Sequence, residues 1–254
     1  KLVFIAKDIP AVGYKVYYKA PAEKAHRYDE SNGKKIENDR FKLVLDDNAT
    51  LVSIYDKANG REVLSQGGKG NDFRLFEDMP GGYDAWDIVA TYVDREYELK
   101  DGVVKDIVSG DVYTMISIEK EVLKSVIHQN ILIYNDLDRI DFDTNVSWHE
   151  DQKLLKVFFD VDLQTKTYTR DIAYATMECC SYRYNPYDKA KFEVNAHNWI
   201  DMSDEDYGVS LLNDCKYGHE VNEHKMILTL LKAPIKPDPT SDRGEHYFTY
   251  SLYP

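Results

Sequence analysis

The segment Phe76-Glu77-Asp78-Met79-Pro80-Gly81-Gly82-Tyr83-Asp84-Ala85-Trp86-Asp87 sets two carboxylates three residues apart beside an indole. On one helical turn such residues have Cβ atoms about 5 to 6 Å apart. That is close to the roughly 5 to 5.5 Å between the two carboxyls of a retaining glycosidase. Asp84 and Asp87 are therefore candidates for chemistry at a sugar, with Trp86 as a stacking face. The same pattern also describes solvated acids, or acids that cap a turn or meet another domain over a packed Trp86. The run Asn195 to Gly218 carries a second set. In Asn213-Asp214-Cys215-Lys216-Tyr217-Gly218, Asp214 and Lys216 can hydrogen-bond vicinal hydroxyls and Tyr217 offers a ring, which suits a polyol and equally suits an ordinary satisfied loop.

Other residues with reactive chemistry lack supporting neighbours. His149 and Asp151 have an H-x-D spacing found in metal sites, but no second His or Cys cluster is spaced to complete it, and they fall at an expected hairpin turn. His197, His219 and His224 could serve acid-base catalysis, or simply be satisfied by a hydrogen bond. Cys215 stands in no nucleophile motif. The glycine-rich stretch Gln66 to Gly70 matches neither phosphate-binding spacing and reads as a loop. The residues alone thus assign no catalytic group and no metal ligand.

These groups need a scaffold, and the composition bounds it. A chain of 254 residues can bury roughly 70 to 75 per cent of its unfolded surface, as one large domain or two smaller ones, without a metal or disulfide staple. The net charge of -13 repels phosphate backbones and disfavours a nucleic-acid partner. Apolar runs far shorter than the roughly 20 residues of a membrane span disfavour a membrane. Three cysteines, two of them adjacent, make a poor disulfide framework, which points to a reducing compartment, the cytoplasm. Lys1 in place of a start methionine reads as the mark of a fragment.

Strands dominate the pattern. Two β-like runs occupy residues 1 to 19 around a turn at Ile9-Pro10, and the polar stretch Pro21 to Lys35 reads as a linker, so that 1–35 is taken as a remnant of a preceding region and 36–254 as the domain. Phe41 to Leu45 and Leu51 to Tyr55 read as strands, the second closed by the hairpin pair Asn59-Gly60. The clearest alternation sets Ile140, Phe142, Thr144, Val146 and Trp148 on a core face and Asp141, Asp143, Asn145 and Ser147 on the other. With Ile127 to Tyr134 before it and Leu154 to Val161 after it, this strand is expected to form an antiparallel meander. Helix is confined to short turns, Asp84 to Val89 foremost. The expected fold is all-β, a large antiparallel two-sheet super-sandwich.

Several long motifs in order then carry a family resemblance. They are IENDRFKLVLDDNATLVSIYDKANGREVL, FEDMPGGYDAWDI, RIDFDTNVSWHEDQKLLKVFF, AKFEVNAHNWIDMSDEDYGVSLLNDCKYG and LTLLKAPIKPDPTSDRGEHYFTYSLYP. From about Ile36 to Pro254 the chain resembles the C-terminal β-domain of family 38 α-mannosidases, and IPAVGYKVY resembles the strand leading into it. The segment Cys179 to Pro186 departs from the pattern, since relatives more often have a glycine-containing segment ending in Arg-Pro-Thr.

The resemblance implies a galactose mutarotase-like super-sandwich in an enzyme that removes α-mannosyl residues with retention. It implies that the nucleophile and a zinc ion belong to an N-terminal catalytic barrel, so this region itself holds no cofactor and no catalytic residue. The partners it implies are that catalytic domain of the same chain and mannose-containing glycans. Asp214, Lys216, Tyr217, Asp84, Trp86 and Asp87 are then candidates for the rim of the sugar pocket. A free-standing carbohydrate-binding module is the alternative, and a mutarotase-like enzyme a third reading by fold analogy.

Overall fold

The computed structural model describes residues 4–18, 27–28 and 33–254, and its regular backbone is almost entirely antiparallel strand. Alternation builds the larger layer. In Tyr113–Val122, Ser125–Tyr134, Ile140–Trp148 and Gly244–Tyr253, alternate side chains such as Ile116, Ile131, Phe142 and Tyr250 are buried and most of those between face outward. These four strands sit side by side in a ten-stranded sheet, continued on one side by Val103–Ser109 and Arg27–Tyr28. On the other side follow Gly208–Asn213, Trp199–Ser203, Thr167–Ile172 and Ala175–Cys180.

A six-stranded sheet lies across the core in the order Val194–Asn195, Gly218–Asn222, Lys225–Lys232, Lys153–Asp160, Asp72–Glu77, Glu96–Tyr97. The two sheets meet at aromatic rings. Phe142 stacks on Tyr250 at 5.0 Å between centroids and meets Phe159 of the opposing sheet edge-on at 5.5 Å. A third, four-stranded sheet of Lys35–Glu37, Phe41–Leu45, Leu51–Asp56 and Arg61–Glu62 joins the edge of the fold through the bridges Leu51 to Gly70 and Leu64 to Val161. Its last hairpin turns at Asn59-Gly60, where Gly60 takes the positive φ of 65° that the turn requires.

Three expectations need correction. The strand after Trp148 does not complete a meander: Lys153–Asp160 pairs in the second sheet, and Gly244–Tyr253 takes the place beside Ile140–Trp148. The reason lies in its sequence, because Leu154 to Phe159 are all buried, and a run buried on both faces belongs inside a covered layer rather than at a half-wet one. Asp84 to Val89 is not helical, and the short helices are instead a 3-10 turn at Ala90–Asp94 and an α-helix at Pro186–Ala190. Residues 4–18 form no strand and are mostly exposed around a turn closed by Gly13 N–H to Pro10 C=O, 3.1 Å. Residues 1–3 of the first β-like run, and 19–26 and 29–32 of the linker region, lie outside the described residues. No helix among the described residues is long and apolar enough to cross a membrane.

Trp148 is fully buried in the sandwich. Trp148→Ala should cost about 3 to 5 kcal/mol through the cavity it leaves; urea denaturation with an unchanged midpoint would contradict that burial.

His219 is also fully buried, with Nδ1 3.1 Å from the Tyr217 carbonyl oxygen and no partner for Nε2. Burial drives its pKa from 6.5 down to about 4. Above the unfolded value the neutral ring carries no penalty. As pH falls from ~6.5 toward ~4 the unfolded chain takes up a proton that the fold refuses, and stability drops by about 3 kcal/mol. Stability measured from pH 8 to pH 4 should fall less steeply in His219→Met than in the parent; parallel curves would exclude this residue as the source.

Candidate functional site

Two features stand out at one end of the six-stranded sheet. The first is the loop that follows Asp72–Glu77. Asp78 is buried, its N–H donating to the Gln152 carbonyl at 2.9 Å and its Oδ2 lying 3.3 Å from Lys232 Nζ, while Oδ1 has no partner. Burial pushes its carboxyl above the usual range, against the pull of Lys232. Asp84 is buried as well, and its two carboxylate oxygens accept the N–H groups of Ile235 at 2.9 Å and Lys236 at 2.8 Å. Burial alone would raise the Asp84 carboxyl, but these backbone donors hold it below its ordinary value. Lys232 Nζ donates to the carbonyl oxygens of Asp84 and Asp87, and Ala85 N–H to that of Lys236 at 3.2 Å.

The clamped loop holds a ledge outward. Met79, Tyr83 and Trp86 are 54%, 69% and 70% exposed, and Tyr83 meets Trp86 edge-on at 5.5 Å. Trp86 is thus not packed within this chain. Nor do Asp84 and Asp87 share a helical turn: Asp84 is consumed by backbone donors, and Asp87 Oδ1 accepts the N–H of Ile88 at 2.9 Å. Asp84 anchors the loop, while Trp86 is the side chain that it presents.

The second feature is a recess of about 540 Å³ lined by Asn195, His197, Asn198 and Tyr217. Val194–Asn195 pairs with the start of Gly218–Asn222, and Ala196 N–H donates to Tyr217 C=O at 2.9 Å, which brings the two ends of the segment together. Arg170 donates to Asn195 Oδ1 at 3.0 Å and Asp171 accepts from Asn198 Nδ2 at 2.6 Å, so the amides are held in place. Tyr217 meets His197 edge-on at 6.2 Å. Of the three residues singled out here from sequence, only Tyr217 lines the recess. Asp214 Oδ2 accepts the N–H of Thr249 at 3.0 Å, and Lys216 Nζ lies 4.5 Å from the Phe248 ring, its ammonium pulled down by burial. Asn195 and Asn198 carry no such mark in the sequence: Asn195 alternates with His197 across buried Ala196, but Asn198 is brought in by the turn through its bond to Asp171.

Between the sheet and its covering segments lies a charged cluster that no motif announced. Lys156 is fully buried, with Nζ 2.6 Å from Glu193 Oε2, 3.1 Å from Glu220 Oε2 and 2.8 Å from the Tyr92 hydroxyl. Arg183 pairs with Glu220 from the far side, and Tyr92 donates to Glu220 at 2.8 Å. Desolvation alone would lower the Lys156 pKa, but the two carboxylates hold it well above its ordinary value.

Residues 36–240 match the family described as Glycosyl hydrolases family 38 C-terminal domain. The chain belongs to this family. Alpha-mannosidase G of Dictyostelium discoideum is 34% identical over 240 residues, covering 92% of this chain and 22% of that protein. Alpha-mannosidase 2C1 of Homo sapiens is 34% identical over 225 residues, 86% of this chain and 21% of that protein. The chain therefore spans about a fifth of the length of these curated relatives. The crystal structure of an alpha-mannosidase from Enterococcus faecalis V583 superposes with a TM-score of 0.72 at 14% identity, covering 91% of this chain and 30% of that one.

The family 38 domain offers no fit for the zinc ion that the resemblance implies for the enzyme. Among the described residues no three His, Cys, Asp or Glu side chains are grouped to hold a metal ion. Asp151 is paired with Arg243, 2.9 Å from Nε, and His149 Nε2 lies 3.1 Å from Ser147 Oγ.

Removing the central cation should be severe, because it leaves two carboxylates buried together. Lys156→Ala is expected to cost about 3 to 5 kcal/mol, and adding Glu193→Gln to it should recover part of the loss; a thermal melt in which the single variant matches the parent would show that the cluster carries no such coupling.

Proposed function

We propose that this domain is the non-catalytic C-terminal part of a retaining α-mannosidase, seated on an N-terminal catalytic domain of the same chain. Residues 1–35 would then belong to the junction and 36–254 to the domain. The observation that carries this reading is the ledge: three large apolar side chains stand exposed on a loop whose backbone is fixed by a buried carboxylate and a lysine. A loop so held is a surface made to be covered, and the relatives are long enough to supply the cover. Their shared name supports α-mannosidic bonds of mannose-containing glycans as the substrate of the whole protein. The zinc would then be held by the catalytic domain.

In this reading Trp86 and Tyr217 face the junction or the rim of the sugar pocket, Asp84 and Asp87 set the loop that carries Trp86, and Asp214 and Lys216 brace the turn that carries Tyr217. The three cysteines are unpaired, with Cys180 and Cys215 exposed, which supports a reducing, cytoplasmic setting.

The experiment is made on the full-length enzyme. Trp86→Ala should reduce kcat/KM for an aryl α-mannoside at least tenfold or lower the melting temperature of the catalytic unit, and Tyr217→Ala should raise KM. Parent-like values for both variants would overturn the docking surface and the rim. Turnover by residues 1–254 alone would overturn the non-catalytic role.

A further inference from the structure

The outward face of the ten-stranded sheet carries a recess of about 370 Å³ lined by Thr169, Trp199, Asp201, Ser210, Leu212 and Tyr253. The strand register explains how it forms. Thr169, Asp201, Ser210 and Tyr253 are direct partners across four adjacent strands, Thr169 to Asp201, Asp201 to Ser210 and Ser210 to Tyr253. They make one row about 14 Å long at the strand spacing of a sheet. Trp199 and its partner Leu212 stand in the neighbouring row, two residues along each strand.

The row is built to accept hydrogen bonds at its centre. Asp201 Oδ1 accepts from Ser203 Oγ at 2.7 Å and Oδ2 from Ser210 Oγ at 2.6 Å. A carboxylate offers about four lone-pair sites, so two are used to orient the group and two remain for donors from outside. Tyr253 is 47% exposed and Trp199 half-buried, which leaves ring surface two residues along the strand from the carboxylate and, beyond Ser210, at the end of its row. No cation lines the recess, and the chain carries a net charge of -13, so an anionic ligand is repelled. The ligand that fits is neutral, rich in hydroxyl donors and apolar on one face, which describes a pyranose. The volume lies in the range of small-molecule sites. Rigid strands rather than loops hold every lining group.

We propose that the Trp199, Asp201, Ser210 and Tyr253 recess is a second, non-catalytic carbohydrate subsite that holds one neutral hexose unit of the glycan, with Asp201 accepting from vicinal hydroxyls and an aromatic ring against the sugar's C–H face. The identity of the hexose as mannose rests on the α-mannosidase reading; the site itself rests on its geometry.

Titration of the protein with methyl α-mannoside and with an S-linked α-mannobiose, followed by calorimetry and by tryptophan fluorescence, tests it. Binding in the millimolar range is expected, weakened at least tenfold in both Asp201→Asn and Trp199→Ala. Asp201→Asn keeps the shape of the side chain, so it separates lost recognition from lost folding. Binding of a galactoside or glucoside in place of the mannosides, lost in the same two variants, would uphold the subsite and overturn the mannose reading beneath it. Mannoside binding that survives in both variants, or no binding of any neutral hexoside by a folded parent, would overturn the subsite and leave the docking reading to its own test.

Discussion

The buried ammonium of Lys156 is the constraint on which the covered face of the six-stranded sheet depends. A lysine at the centre of a strand buried on both faces cannot reach water, and leaving it alone there would cost several kcal/mol. Its compensation comes from distant pieces of chain: Tyr92 from the 3-10 turn, Glu193 from the segment before Val194–Asn195, and Glu220 from the neighbouring hairpin, backed by Arg183. Two cations meet two carboxylates, so the cluster is balanced. Because each partner arrives on a different segment, satisfying one charge forces those segments onto the outer face of the six-stranded sheet. Phe76, Tyr92, Leu154, Phe158 and Ile227 close a small apolar cluster there. The ledge loop runs from Asp72–Glu77, paired beside Lys153–Asp160, to Ala90–Asp94, which the cluster holds through Tyr92.

The sandwich was legible in the sequence wherever one face is wet. Ile140 to Trp148 alternates cleanly, so its core face could be named residue by residue, and Asn59-Gly60 specified its hairpin. Period-two alternation tells which side of a strand is buried, but it does not name the neighbouring strand. That is why Leu154 to Val161 reads from sequence as the next meander strand although the strand there, Lys153–Asp160, crosses to the other layer. The better signal was already present in Leu154-Leu155-Lys156-Val157-Phe158-Phe159, a run too continuous for a half-wet strand. The lysine within it does not interrupt that burial and is the residue that organises the cover. The four-stranded third sheet escaped because short strands near a chain's edge carry too few residues to declare a separate layer.

The candidate site was legible in its segments and much less so in its side chains. Both FEDMPGGYDAWDI and the Asn195 to Gly218 run lie at the end of the sheet where the surface is shaped, yet acids chosen for their spacing turned out to be anchors. Asp84 is the clear case. Spacing in sequence implied a helical turn, but two backbone N–H groups from Ile235 and Lys236, some 150 positions away, offered its carboxylate more than water did. A partner so remote leaves no local trace. For Trp86 the packed alternative does not hold, because an indole placed among glycines and acids in a loop has few apolar neighbours to bury it. Trp86 and Tyr217 accordingly remain at the surface.

That contrast bears on how the domain would meet a neighbour. Covering an exposed Trp, Tyr or Met contributes about 1.5 to 3 kcal/mol per side chain, but association loses part of this gain to ordering whatever was mobile beforehand. Here Asp84 and Lys232 have already fixed the loop, so its backbone order belongs to folding and little is left to lose on docking. The arrangement separates two tasks along one short stretch of chain. Carboxylates and carbonyls facing inward hold the backbone, and apolar groups facing outward are left free for contact. A ledge organised only for solubility would show the reverse, with acids outward and Trp86 folded beneath them.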